Sequence, residues 1–269
     1  MKRYGFGLLL IGWACVMPLA AAAAELSVYD VQYTTDPAGA SPYDGQIHNV
    51  TGGIVTHVWH GFNDRVYLYD PAHPTWGSIV VKDGESGELS NNVSVGDWVS
   101  FDNIYVDEFY GTTFLQYRRS LAPDVSFAIE SSGNPLPAPV VLTAADLAVP
   151  PNHPATEPYE SMLVMLEGVV IGQMDLGKAG DNYELLQDSD IAWAADYMNI
   201  DAGGPYHPSI YAGAALESIT GIVEQYTNVD SGWDYYQVLT RSSADIVVPE
   251  PTSLLLSLVC FAAVSRRRR

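Results

Sequence analysis

His57 and His60 stand three residues apart, with His73 further on, and imidazoles are common zinc ligands. On a strand, residues three apart point to opposite faces, and neither a cysteine nor an HExxH helix accompanies them, so the spacing argues against a shared zinc site. Asp188-Ser189-Asp190, with Asp175, Asp181 and Glu184 nearby, could hold calcium through hard oxygen ligands. Neither group has the glycine and closing glutamate of an EF-hand loop, and solvated loop acids are the simpler reading. No other cofactor is implied. The chain has no Gly-x-Ser-x-Gly elbow and no glycine-rich phosphate loop, and paired carboxylates are too frequent in it to be diagnostic. No catalytic residue is assigned. The expectation is a non-catalytic structural or binding module, with a hydrolase or accessory domain acting on extracellular nucleic acid or polysaccharide as the alternative.

Aromatic residues are the other chemistry on offer: Tyr67, Tyr69, Trp76, Tyr105, Phe109, Tyr110, Trp233, Tyr235 and Tyr236. At alternating strand positions such rings usually form core or cross-strand pairs, but a neutral glycan could stack on them. Binding of single-stranded nucleic acid would also need a basic groove. Between residues 25 and 248 six Lys and Arg face thirty-one Asp and Glu, a net charge of −25. So acidic a body repels phosphate backbones, which makes nucleic acid a disfavoured partner.

The two ends explain where the cationic charge has gone. Met1-Lys2-Arg3 precedes the apolar run Phe6 to Leu19, and Ala22-Ala23-Ala24 suits cleavage by signal peptidase, giving a signal peptide over 1–24. Cys15 lacks the leucine-like residue that a lipobox would want at Gly12. At the other end come Pro249-Glu250-Pro251, the fourteen residues Thr252 to Ser265, and Arg266, Arg267, Arg268 and Arg269. Fourteen helical residues span about 21 Å, short of a hydrocarbon core of about 30 Å, and the arginines would stop on the cytoplasmic side. This order of motif, apolar segment and basic cluster over 249–269 resembles the PEP-CTERM sorting signal. The resemblance implies an exosortase substrate of a Gram-negative bacterium, held by its tail in the membrane until processing and sent to the envelope, cell surface or extracellular matrix. Surface polysaccharide would then be its natural partner. Both cysteines, Cys15 and Cys260, lie in these ends, so the body has no disulfide or thiolate chemistry.

The body reads as all-β. Short apolar runs predict strands at Gln46–Val58, Arg65–Tyr69, Ser78–Lys82, Trp98–Val106 and Thr112–Tyr117, with turns at Gly61-Phe62-Asn63-Asp64, Asp70-Pro71, Asp83-Gly84 and Val95-Gly96-Asp97. Five short strands in a first domain over 25–130 suit a small closed barrel. Residues 131–158 carry seven prolines and read as a stiff linker, with one short helical turn at Thr143 to Leu147 that Thr143 could cap. A second domain over 159–248 repeats the first: Gly53 answers to Gly168, Asp70 to Asp188, Gln116 to Gln237, and Arg119-Ser120 to Arg241-Ser242. The offset drifts from 115 to 121 residues, as loop insertions would produce.

Asp44-Gly45 with Val50 and Gly53, Tyr67-Leu68-Tyr69-Asp70, Val93-Ser94-Val95-Gly96-Asp97-Trp98-Val99 and Glu108-Phe109-Tyr110-Gly111-Thr112-Thr113-Phe114-Leu115 resemble the OB-like domains that accompany some secreted bacterial nucleases. Asn103 stands where that pattern has glycine, a substitution that tolerates a left-handed backbone. The resemblance implies two tandem OB-like five-stranded barrels, the alternative being one larger β-sandwich. No nuclease domain is expected after the second repeat.

Overall fold

The structure is a computed structural model, and it describes residues 25–61, 63–177, 182–201 and 207–249. A short helix α1 (Val28–Gln32) leads into β1 (Ile47–Trp59), β2 (Arg65–Tyr69), β3 (Ser78–Asp83), β4 (Trp98–Phe109) and β5 (Thr112–Tyr117), and β6 (Ser126–Ser131) follows. All five expected strands are present: two have the expected limits, the first is shifted by one residue, and β3 and β4 are extended by one and three residues at their ends. They pair in the order β1-β2-β3-β5-β4, and β4 returns to β1, so the sheet closes. The β3–β5 pairing is parallel and the others antiparallel, which is the Greek-key arrangement of an OB barrel. Val50, Val55, Val66, Leu68, Ile79, Val81, Phe101, Ile104, Val106 and Leu115 fill the interior.

The second barrel repeats this plan. After β7 (Val140–Leu142) and α2 (His153–Thr156) come β8 (Leu163–Glu167), β9 (Val170–Ile171), β10 (Tyr183–Gln187), β11 (Asp190–Ala195), α3 (Tyr197–Asp201), β12 (Ser218–Asn228), β13 (Trp233–Leu239) and β14 (Ile246–Val247). Here β8 and β9 are two halves of one bent strand. β9 pairs with β10, β10 with β11, β11 in parallel with β13, β13 with β12, and β12 with β8. The bend lies at Gly168, with φ +65°; Gly52 in β1 has the same φ, and a Cβ there would lie 1.6 Å from the Val99 carbonyl oxygen. Only glycine serves at a sharp left-handed bend of this kind. The equivalent of Gly168 is therefore Gly52 and not Gly53, because β1 shifts register between Val50 and Gly53. Asn103 takes φ +53°, the left-handed conformation its residue type allows.

The proline-rich stretch is largely part of this second repeat. Leu142 of β7 pairs in parallel with Leu166, as Leu26 bridges Val50 in the first. A 3-10 turn over Ala144–Leu147 follows, opened by Thr143, whose N–H and Oγ1 both donate to the Asp146 carboxylate at 2.7 Å. Ser27 and Asp30 make the same pair of bonds ahead of α1. Leu26, Ser27, Asp30, Val50 and Gly52 each precede their counterpart by 116 residues. The expected linker over 131–158 thus shortens to 132–139 between β6 and β7, because Leu142, Ala144 and Leu147 have apolar side chains to bury in the second core.

The barrels pack directly against each other. The outer face of β2, β3 and β5 presents Tyr67, Val80 and Phe114, and with Trp59 these form a third core against Ala195, Met198, Ile222 and Leu239. Burying one such large side chain contributes about 1.5–3 kcal/mol, enough in sum to dock the barrels. At its edge, Arg65 Nη1 lies 2.5 Å from Glu224 Oε1, and the Tyr197 hydroxyl donates to both Glu224 oxygens at 3.1 and 3.0 Å. Burial works against the Arg65 charge, but Tyr197, Tyr67 and Glu224 around it raise its pKa.

On another side of the seam three acids meet with no cation among them. Glu160, 1% exposed, accepts from the Thr113 N–H at 3.0 Å and Gln32 Nε2 at 3.5 Å. Glu157, 2% exposed, accepts from the Tyr236 hydroxyl. Glu108 accepts from the Ser41 N–H at 2.8 Å and Thr113 Oγ1 at 2.5 Å. Burial raises all three, Glu108 to about 7; Glu108 adds to the shift of Glu157, Glu157 and Glu108 to that of Glu160, and Asp44 and Asp107 to that of Glu108. A carboxyl whose pKa rises on folding stabilises the fold in its protonated form. Its contribution is complete below the unfolded value of 4.5 and is lost as pH climbs through the folded value. The melting temperature should fall by several degrees between about pH 5 and about pH 8, and Glu160→Gln should flatten that slope. A melting curve that rises with pH over this range, or an unchanged slope in the variant, contradicts the assignment.

Candidate functional site

The turn between β4 and β5 consists of Tyr110 and Gly111, at φ +54° and +84°. Two positive φ values in a two-residue hairpin match the right-handed twist of the flanking strands, and glycine takes the second at no steric cost. Tyr110 takes the first against its preference, and such strain in a non-glycine residue is typical of binding positions. The seam fixes it there. Its carbonyl accepts from the Thr227 N–H at 2.6 Å, and Thr112 Oγ1 donates to the Gln225 carbonyl at 2.7 Å. A Cβ on Gly111 would come within 2.7–2.9 Å of the Gln225 amide and Thr227, so the hairpin tip sits tightly on β12.

Beside this contact the barrels leave a cleft of about 510 Å³. Arg65, Lys82, Phe109, Thr112 and Phe114 line it from the first barrel, and Tyr197, Glu224, Tyr226 and Gln237 from the second. Aromatic rings run along it and beyond. Lys82 Nζ lies 4.8 Å from the centre of Phe109; Phe109 meets Tyr110 edge-on at 4.5 Å; Tyr110 stacks on Tyr226 at 5.0 Å; and Tyr226 stacks on Tyr235 at 5.7 Å, with Trp193 a further 4.6 Å on. Phe109 and Tyr110 are 45% and 43% exposed, so these rings are presented to solvent.

Among the described residues Glu224 is the only acid lining the cleft, and it is engaged by Arg65, Tyr197 and Gln237 Nε2 at 2.9 Å. It is placed to hold structure together, not to take a proton from a ligand. Gln237 is oriented in turn by Asn182. Oriented so that both ends are satisfied, the Gln225 amide donates to Glu157 Oε2 at 3.1 Å and to the Gly111 carbonyl at 2.9 Å, which links the buried acids to the cleft wall. Lys82 has its pKa lowered by burial and by the neighbouring Arg118 and Arg65, with Asp107 acting in the opposite sense.

The residues singled out from the sequence divide among several places. His57 packs over Tyr67 and is lowered to about 4 by burial; His60 bonds Asp64 at 3.0 Å, and His73 bonds Asp70 at 2.9 Å. These imidazoles are spent on separate partners, and among the described residues no three His, Cys, Asp or Glu gather as a metal site. Asp175 and Asp188 are exposed turn residues, Glu184 accepts from the Gln173 N–H at 2.9 Å, and Asp181 lies outside the described residues. Of the nine aromatics, Tyr67, Tyr235 and Tyr236 are buried, Tyr69 and Tyr105 pack against barrel cores, and Trp76 meets Tyr33. Phe109, Tyr110, Trp233 and Tyr235 belong to the ladder or flank it. Tyr226, Trp193 and Tyr197 were not singled out; the alternation Glu224, Tyr226, Asn228 along one face of β12 is the signal that could have found Tyr226. Pro249 is exposed just beyond β14, whereas residues 1–24, Glu250, Pro251 and Arg266 to Arg269 lie outside the described residues. No helix of the described residues is long and apolar enough to cross a membrane.

No family model and no curated protein matches the chain. Among solved structures, it is similar to Schizosaccharomyces pombe Pot1pC bound to ssDNA, at 13% identity over 38% of this chain and 90% of that one, with a TM-score of 0.26. It is also similar to the tetrameric p202 HIN2, at 12% identity over 72% of this chain and 88% of that one, with a TM-score of 0.35. A replication protein A heterotrimer bound to ssDNA shows 11% identity over 81% of this chain and 69% of that one, with a TM-score of 0.24. At such scores the likeness adds nothing to the strand order, which by itself makes both units OB-type barrels.

Proposed function

We propose that the chain is an exported, non-catalytic binding module of the cell surface or extracellular matrix of a Gram-negative bacterium, and that its seam cleft holds a polysaccharide. The exposed ladder from Phe109 through Tyr110 to Tyr226 carries this reading. Sugar rings present flat apolar faces edged by hydroxyls, and the ladder supplies flat rings while Thr112, Gln225 and Gln237 supply hydroxyl and amide partners at its edge. Hydrolysis of a glycosidic bond commonly takes two carboxylates flanking it, and the lining offers only Glu224, tied to Arg65. The thirty-one acids of the body weigh against a polyphosphate ligand. Export rests on the basic and apolar start of the chain and on Pro249-Glu250-Pro251 with its apolar and arginine sequel, which resemble signal peptidase and exosortase substrates.

Two measurements test the reading. Titration with surface polysaccharide fragments should give saturable quenching of tryptophan fluorescence, and Tyr226→Ala or Tyr110→Ala should weaken binding about tenfold, the scale of one lost stacking contact. Unchanged affinity in both variants sinks the cleft as the site. Mass spectrometry of the cell-associated protein should find a chain that starts at Glu25 and is trimmed near Pro249; a full-length chain in the cytosol contradicts export.

A further inference from the structure

Cations are scarce in this protein, and their placement is uneven. Of the described ones, Arg119 is neutralised by Glu85 and Glu88, Arg241 by Asp245, and Arg65 by Glu224. Lys82 and Arg118 make no ion pair among the described residues, and Arg118 sits close enough to disfavour the charge on Lys82. Both stand at one end of the aromatic ladder. Lys82 lines the cleft over Phe109; Arg118 lines an adjoining recess of about 310 Å³ that shares Asn63 with it. The acids of that recess are already engaged. Asp83 accepts from the N–H groups of Glu85, Leu89 and Ser90 at 2.8–2.9 Å, and Asp64 from Ser90 Oγ at 2.7 Å and His60. Asp107, which favours the Lys82 charge, accepts from Gln116 Nε2 at 2.7 Å.

We propose that the Lys82 end of the cleft, backed by Arg118, is a subsite for the carboxylate of an acidic sugar, so that the bound glycan carries a uronate at one end of the ladder. The inference rests on the cleft being a glycan site. A half-buried ammonium that makes no ion pair among the described residues gains from an anion that arrives with the ligand, through a charge-assisted hydrogen bond. Single-stranded nucleic acid is the weaker candidate, because its phosphates recur at every residue and the ladder leads away from Lys82 toward the β12–β13 turn, where Asp230 and Asp234 stand.

The test compares a tri-uronate, the matching neutral trisaccharide with each carboxylate reduced to a hydroxymethyl, and a short single-stranded DNA, all by titration of the body carrying both barrels. The tri-uronate should bind about tenfold tighter than its neutral counterpart. Lys82→Gln and Lys82→Met should erase that preference by weakening the tri-uronate about tenfold more than the neutral trisaccharide; the methionine keeps an apolar chain over Phe109, so a loss of packing is told apart from a loss of charge. Equal affinity for the two sugars, equal weakening of both by the Lys82 variants, or tighter binding of DNA overturns the subsite. If neither sugar binds and Tyr226→Ala changes nothing, the cleft itself fails as a glycan site; if both bind without preference, the acidic subsite alone fails.

Discussion

Tyr67, Val80 and Phe114 point outward from β2, β3 and β5, on a face that a solitary barrel would have to leave wet. Covering them with Ile222, Leu239, Met198 and Ala195 is the constraint from which the rest of the architecture follows. In many OB barrels the surface of strands 2 and 3 is where ligands lie. In the first barrel that surface is covered by the second barrel, so the proposed binding site falls at the margin of the contact, where the Tyr110-Gly111 tip rests on β12. Arg65 and Glu224 close that margin: removing either would leave the other buried without its counter-charge, and such breaks typically cost about 3–5 kcal/mol.

The charges around the seam divide sharply. Glu157 and Glu160 are buried and Glu108 half-buried, none of them in an ion pair among the described residues, and desolvation holds them protonated above the usual carboxylate range. Lys82 and Arg118, which make no ion pair among the described residues, collect near the cleft mouth. A protein so acidic gains solubility from its surface acids, whereas ionising the acids at the seam works against the fold. Gln225 joins the two regions, since its amide donates to Glu157 and its carbonyl accepts from the hairpin threonine.

Much of the fold was legible because strand alternation and turn chemistry are local. Arg65–Tyr69 and Thr112–Tyr117 are bounded by turn formers, and both strands match to the residue. The duplication was also readable, but its start was missed: Ser27-x-x-Asp30 and Thr143-x-x-Asp146 are matching caps, hidden in the second repeat by the prolines around them. Proline content describes backbone stiffness and says nothing of whether Leu142 and Leu147 have a core to enter. The cleft was not legible. Phe109 and Tyr110 stood out as aromatic, but their partner Tyr226 is 116 residues beyond Tyr110, and only the docking of two barrels, a long-range event, brings them into contact.

The central claim is that the seam between the barrels, and no single barrel face, is the working surface. Nuclear magnetic resonance shift mapping of the amide groups during titration with an acidic polysaccharide fragment tests it most directly. The account predicts that the largest shifts gather on both barrels at once, at Lys82, Tyr110, Gly111, Gln225 and Tyr226. Shifts confined to one barrel, such as Glu184, Leu186 and Ile191 on the outer face of β10 and β11, would contradict it.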